Sequence, residues 1–422
     1  MRSSSIPPWQ RIGSGTVVLC AIAIAVIVLF GLGHLVGWNP TWRSVGVTPL
    51  EPHFFDMHAV TDHAECAAKG FDAYSLNSCD PRTAFNYPPV WLLLGRLGID
   101  GSDSIWLSVV MIAVALAVMV AVFKGRSIGD GAIFAAAILS PSVLMGVERA
   151  NVDFSILALV GGAALVFTEQ KASRALLAVL LIGAAIVLKL YPLFCIALAA
   201  RFSRRTFLFA AAVVVIAAIY FVIISDYISL IRQNTPTSFM LSYGYKVLFL
   251  GIDHLRSEAG LTAIGLADTW VPMGLALTIV ILAVAAALCH SRPVSSVCKV
   301  TDGVAGTAFL FGAGIYCGSF LLGTNFIYRL MFLLLCLPQL RQWAEGTLAD
   351  DHRTATSARV LVGTILFALW INGSPNGHTT FMLVPQLANW LNFFGLATIL
   401  VLNFVANARA YRGDRKQLIT RS

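Results

Sequence analysis

Charge is what this chain has least of. Lys, Arg, Asp and Glu together make up 12% of its 422 residues, where a soluble domain carries about a quarter, so an ordinary solvated globule is excluded at the outset. There is no internal repeat and no low-complexity segment, which sets aside repeat arrays and disordered linkers. The first apolar run lacks a small-residue cleavage site, so it is expected to stay as an anchor and not to be removed as a signal peptide.

In place of charge stand hydrophobic residues, 58% of the chain. Apolar runs long enough to cross about 30 Å of hydrocarbon recur along its whole length. The spans read from the sequence are 16–37, 104–123, 131–147, 153–168, 174–188, 190–203, 206–225, 269–289, 303–323, 324–340, 358–373 and 380–405. These runs are continuous and do not alternate in short segments, so they specify helices and not a barrel. The expected fold is an all-α polytopic membrane protein of about twelve transmembrane helices, one integral membrane domain over residues 1–422.

Lys and Arg mark the cytoplasmic loops of such a protein. Arg2 and Arg11, Lys124 and Arg126, Lys171 and Arg174, Arg201 with Arg204 and Arg205, Arg292 with Lys299, Arg341 with Arg353 and Arg359, and Arg409 through Arg415 fall in alternate connections. Twelve crossings with both termini inside satisfy every cluster, in a bacterial-type cytoplasmic (inner) membrane. The net charge of +8 is then this topological bias facing an anionic leaflet, and not a nucleic-acid footprint. Two stretches need special treatment. Residues 87–99 are apolar but short and are placed as an interfacial helix on the outer side. Residues 174–203 carry Lys189-Leu190-Tyr191-Pro192 in their middle and are read as two short helices meeting near the outer side, with the proline opening the second.

One segment breaks the apolar pattern. Residues 38–86 form a polar insert carrying Asp56, His58, Asp62, His63, Glu65, Asp72 and Asp80 and closed by Tyr87-Pro88-Pro89. Loops between packed helices are ordinarily short, so residues 38–103 are expected to form an extracytoplasmic loop of short juxtamembrane helices with a chemical purpose. On the topology above, the other unusual polar groups fall on the same side: Glu148 to Asp153, the Lys189 corner, residues 226–268, Thr324 to Arg329 and the loop around His378. Ionisable groups at span ends are costly and mark functional sites.

Several of these residues recur in an order that resembles a known family. Asp56 opens the first loop with Gly70 fourteen positions on; Tyr74, Tyr87-Pro88-Pro89, Asn151-x-Asp153 and Lys189-x-Tyr191-Pro192 follow, then basic residues at 201–205. Over residues 50–210 the chain resembles the polytopic sugar transferases of the C-type glycosyltransferase superfamily, most closely glycosyltransferase family 87. That resemblance implies a sugar donor linked to polyprenyl phosphate, a glycolipid or glycan acceptor, membrane lipids as surroundings, an active site facing outward, and a catalytic aspartate in the first outer loop, matched by Asp56. Read on its own, Asp56 could equally be a helix N-cap, since the run it opens looks helical and stops at Gly70.

Glycosyl transfer asks for a carboxylate to deprotonate the acceptor hydroxyl and for cations to steady the departing phosphate. Lys189, Arg329 and Arg149 are the candidate phosphate ligands, Arg for its fork of donors and Lys as a point charge. Arg149 could instead pair with Glu148 or Asp153, and Arg329 could be a snorkelling helix-end residue. Tyr87, Asn151, Asp153 and Tyr191 are candidates for the sugar pocket and His58 for the acceptor. No metal and no cofactor are expected: His58 and His63 are five apart and do not share a helix face, and the Asp-x-Asp pair of metal-dependent sugar transferases is absent from the insert. Of eight cysteines, Cys66 and Cys79 share the insert, where an oxidising exterior permits them to bridge; two free loop thiols is the other reading. A transporter or flippase of lipid-linked sugars would also place cations at membrane depth, but it should show repeat symmetry between its halves, and none is visible. A lipid-linked glycan polymerase or ligase should carry its large outer loop late in the chain, not first.

Overall fold

The computed structural model describes residues 14–76, 79–123, 127–236, 239–289, 299–346, 352–371 and 383–419. Arg2, Arg11, Lys124, Arg126, Arg292 and His378 lie outside the described residues. The structure is 78% helical. Among the described residues, sheet is confined to one antiparallel pair, Ser242–Tyr243 with Asn325–Phe326.

Among the described residues, six helices are long and apolar enough to cross a membrane: Gly15–Val36, Gly101–Val122, Arg204–Ile223, Val304–Leu321, Thr354–Ile371 and Leu383–Arg412. A seventh crossing is available if Ile128–Ile138 and Pro141–Arg149 count as one span bent by 52°. The bend replaces the straight helix expected over 131–147. Pro141 has no N–H to continue the ladder from the preceding helix and instead opens a new one.

The remaining apolar runs form shorter helices. Asp153–Val166 has 14 residues and Ala172–Leu188 has 17, which at 1.5 Å per residue reach only about 21 and 26 Å. Tyr191–Arg201 and Ile327–Cys336 wind as 3₁₀ helices, the second in place of the single α-helix expected over 324–340. The structure thus bears out a helical polytopic chain, with six or seven full-length candidate spans where twelve crossings were expected.

Val304–Leu321 is the hub, buried along nearly its whole length. It can be a hub because its glycines let other backbones touch it: a Cβ at Gly314 would lie 2.4 Å from the Phe194 carbonyl oxygen, and one at Gly312 would lie 2.6 Å from that of Phe332. Both 3₁₀ helices therefore pack directly against it, which brings Lys189 and Arg329, at the start of each, to the same end of the molecule. At the periphery the pattern inverts. Ile27 and Leu35 of Ser14–Val36 are 71% and 79% exposed, as suits a helix solvated by lipid.

The insert folds as helices Trp38–Ser44 and Phe55–Ala68. The second ends as its sequence dictates: Gly70 N–H donates to Ala67 O at 3.1 Å and Phe71 N–H to Cys66 O at 3.0 Å, the paired closure that a left-handed glycine permits. Beneath it run Pro89–Leu92 and Leu93–Arg96, the short helices expected near 87–99. Trp91 Nε1 donates to Leu188 O at 3.1 Å, which fixes the Tyr-Pro-Pro turn beside Lys189. The loop after Phe55–Ala68 is tied back at several points. Cys66 and Cys79 are joined by a disulfide with Cα atoms 5.8 Å apart. Arg82 bridges Asp62 at 2.6 Å and Asp80 at 3.1 Å, and Tyr74 Oη donates to Tyr87 O at 2.9 Å.

Candidate active site

Asp56 sits in the first turn of Phe55–Ala68, one residue past its start, and is not the N-cap; that position belongs to Phe54 in the left-handed region. The helix entry is held from below, where Phe54 N–H donates to Glu148 O at 3.2 Å and Leu50 N–H to Glu148 Oε1 at 3.0 Å. This anchoring aims the Asp56 carboxylate at Asn151, whose Nδ2 donates to Asp56 Oδ2 at 2.5 Å. Asn151 Oδ1 in turn accepts from Asp153 N–H at 2.9 Å, an Asx turn that opens the Asp153–Val166 helix.

Asp153 is fully buried and neutralised from two directions. Lys189 Nζ approaches Oδ1 at 2.5 Å and Arg329 Nε approaches Oδ2 at 3.2 Å. Arg329 also donates through Nη1 to Asn325 Oδ1, and Asn325 is held by the strand pairing with Tyr243. Each cation rests on an aromatic face, Lys189 Nζ at 5.0 Å from the Tyr87 ring and Arg329 Cζ at 4.5 Å from that of Tyr191. Hydrogen bonds therefore link Asp56, Asn151, Asp153, Lys189 and Arg329 in one chain. Tyr87 and Tyr191 floor it.

Arg149 stands beside this chain without joining it. It is buried, its guanidinium lies 5.7 Å over the Phe326 ring, and neither Glu148 nor Asp153 pairs with it. The ion pairs open to Arg149 on sequence grounds thus do not form. Arg329 is likewise no snorkelling residue, because Asp153 holds it.

Burial raises the Asp56 carboxyl above the ordinary carboxylate range, and the charge of Arg149 and the Asn151 hydrogen bond offset this only in part. A carboxylate so placed gains proton affinity, as a general base requires. Oδ1 accepts no hydrogen bond from the described residues, leaving one oxygen for a substrate proton.

His58 departs from expectation. Two residues beyond Asp56 it lies about 200° around the helix, where Nε2 meets Ser104 Oγ at 2.8 Å and Nδ1 lies 4.0 Å from Asp62. Burial lowers its pKa against the pull of Asp62. His58 therefore buttresses the insert and is not brought to the Asp56 cluster. Asn325, Phe326 and Glu148 are the neighbours that sequence reasoning did not name as site residues. Asn325 precedes Arg329 by four positions in a segment already marked as unusually polar, and that spacing was its available signal.

A family model for glycosyltransferase family 87 matches residues 85–311. The matched stretch includes Tyr87, Arg149, Asn151, Asp153, Lys189 and Tyr191 and leaves Asp56, His58 and Arg329 outside it. No curated protein and no solved structure matches the chain.

Proposed function

The chain belongs to glycosyltransferase family 87 and is a membrane glycosyltransferase; we propose that it moves a hexosyl or pentosyl group from a polyprenyl-phosphate carrier to a glycolipid or glycan acceptor, with Asp56 as general base. Supporting this reading above all is the hydrogen-bonded chain from Asp56 through Asn151 to Asp153, Lys189 and Arg329. It holds a carboxylate of raised proton affinity in place beside a cluster of three cations, Lys189, Arg329 and the adjoining Arg149, drawn from segments far apart in sequence, a setting suited to a phosphate leaving group.

In this proposal the acceptor hydroxyl gives its proton to Asp56 Oδ1 as its oxygen attacks the anomeric carbon, and the carrier phosphate leaves toward the cations. Tyr87 and Tyr191 offer the flat apolar faces on which a sugar ring packs. The site faces the outer side of a cytoplasmic-type membrane, under an extracytoplasmic insert of residues 38–103. The short apolar helices then complete about twelve crossings with both termini inside.

The test is donor choice. Purified enzyme offered polyprenyl-phosphate-linked sugars and, separately, nucleotide sugars should transfer only from the former. Transfer from a nucleotide sugar with no lipid carrier present would contradict the proposal.

A further inference from the structure

Three cations stand in the site, and their surroundings separate them. Lys189 and Arg329 share Asp153, which gives one carboxylate oxygen to each, and Arg329 also reaches Asn325. Both side chains therefore have structural partners. Through the Asp153 N–H bond to Asn151 they hold in place the amide that orients Asp56.

Arg149 has no such explanation. It is only 7% exposed, its Nε has no hydrogen-bond partner, and among the described residues its guanidinium makes no hydrogen bond or ion pair. No nearby carboxylate pairs with it: both oxygens of Asp153 go to other cations, Glu148 Oε1 accepts from Leu50 while its Oε2 has no partner, and Asp56, whose carboxyl feels the charge of Arg149, is hydrogen-bonded to Asn151. A guanidinium carries five donors in a planar fork, and leaving a buried charge without an acceptor is strongly unfavourable. Its donor fork is left open to an anion arriving from outside.

We propose that Arg149 is the residue that receives the phosphate of the lipid-linked donor, while Asp153 with Lys189 and Arg329 is a positioning unit for the base. The assignment rests on the donor class proposed above. It fits the geometry of displacement, because acceptor and leaving group flank the anomeric carbon. The leaving-group cation must then be close to the base but not paired with it, and Arg149 forms no ion pair with Asp56. The fork also matches the oxygens of a phosphodiester, which a point charge would not.

The experiment measures binding of a short-chain polyprenyl phosphate and of the polyprenol of the same length to purified enzyme. Wild type should prefer the phosphate. Arg149→Met, which keeps the apolar stem over Phe326, should weaken phosphate binding roughly 10- to 100-fold, the range of a charge-assisted contact, and leave polyprenol binding unchanged. Arg149→Gln serves as a second variant of retained polarity, and thermal unfolding checks that each is folded. A phosphate preference that survives in both variants overturns the Arg149 assignment and leaves the donor reading standing. Equal binding of phosphate and polyprenol by wild type overturns the donor reading itself. Inorganic phosphate competing as well as the lipid would make Arg149 a free-anion site, also against the proposal.

Discussion

Asn151 is the residue on which the site geometry turns. Its amide is oriented by Asp153 N–H, which can only donate and so takes Oδ1, leaving Nδ2 for Asp56 Oδ2. The carboxylate of Asp56 is already pushed up by burial and held down in part by this hydrogen bond. The sign for catalysis follows: a general base works in its ionised form, so activity should fall as pH drops through a value above the ordinary carboxylate range. Asn151→Ala removes a contact that favours the ionised form, so the acid limb of the kcat/KM profile should move to still higher pH. A limb left in place, or moved down, would separate Asn151 from the base. That Asp56 and Asn151 both matter could be suspected from their order in the chain. Which cation answers which carboxylate could not, because Arg149, Lys189 and Arg329 all look alike until tertiary packing gives Asp153 to two of them.

At the scale of elements, the Asp56 helix depends on how closely its support approaches. Leu93–Arg96 runs under Phe55–Ala68 at Gly95, where a Cβ would lie 1.9 Å from the Ala64 carbonyl oxygen. Backbone cannot give as a flexible side chain can. Gly95→Ala should therefore cost about 1–3 kcal/mol as overpacking does, and should lower turnover by displacing Asp56. Gly33→Ala is the control: nothing lies within 4 Å of a Cβ there, and alanine is the better helix former, so stability should hold or rise. Thermal unfolding and turnover of both variants check this, and an unchanged Gly95→Ala would refute the close support. The helix itself was legible, because its start and its Gly70 stop carry local signals. The 3₁₀ segments Tyr191–Arg201 and Ile327–Cys336 were not. A run that is apolar at nearly every position fits a period of 3.0 as well as one of 3.6, and close packing on the glycines of Val304–Leu321 decides between them.

For the whole molecule, composition alone identified a helical membrane protein, and six full-length candidate spans bear that out. Span length was less legible. A run of apolar residues reads the same whether it forms a full crossing, a bent pair such as Ile128–Ile138 with Pro141–Arg149, or a short helix wrapped in protein. The short ones matter most, since Asp153, Lys189 and Arg329 all sit at or near the ends of elements too short to cross alone. Broken elements of this kind carry polar groups to membrane depth because other helices, not lipid, surround them. The insert then closes over that end and adds Asp56. If this account is right, proton acceptance and donor binding belong to different residues. Asp56→Asn, which keeps size and hydrogen bonding but removes the base, should reduce turnover roughly 100- to 10,000-fold while the dissociation constant for the polyprenyl-phosphate sugar stays near wild type. Near-normal turnover in purified Asp56→Asn would contradict the account.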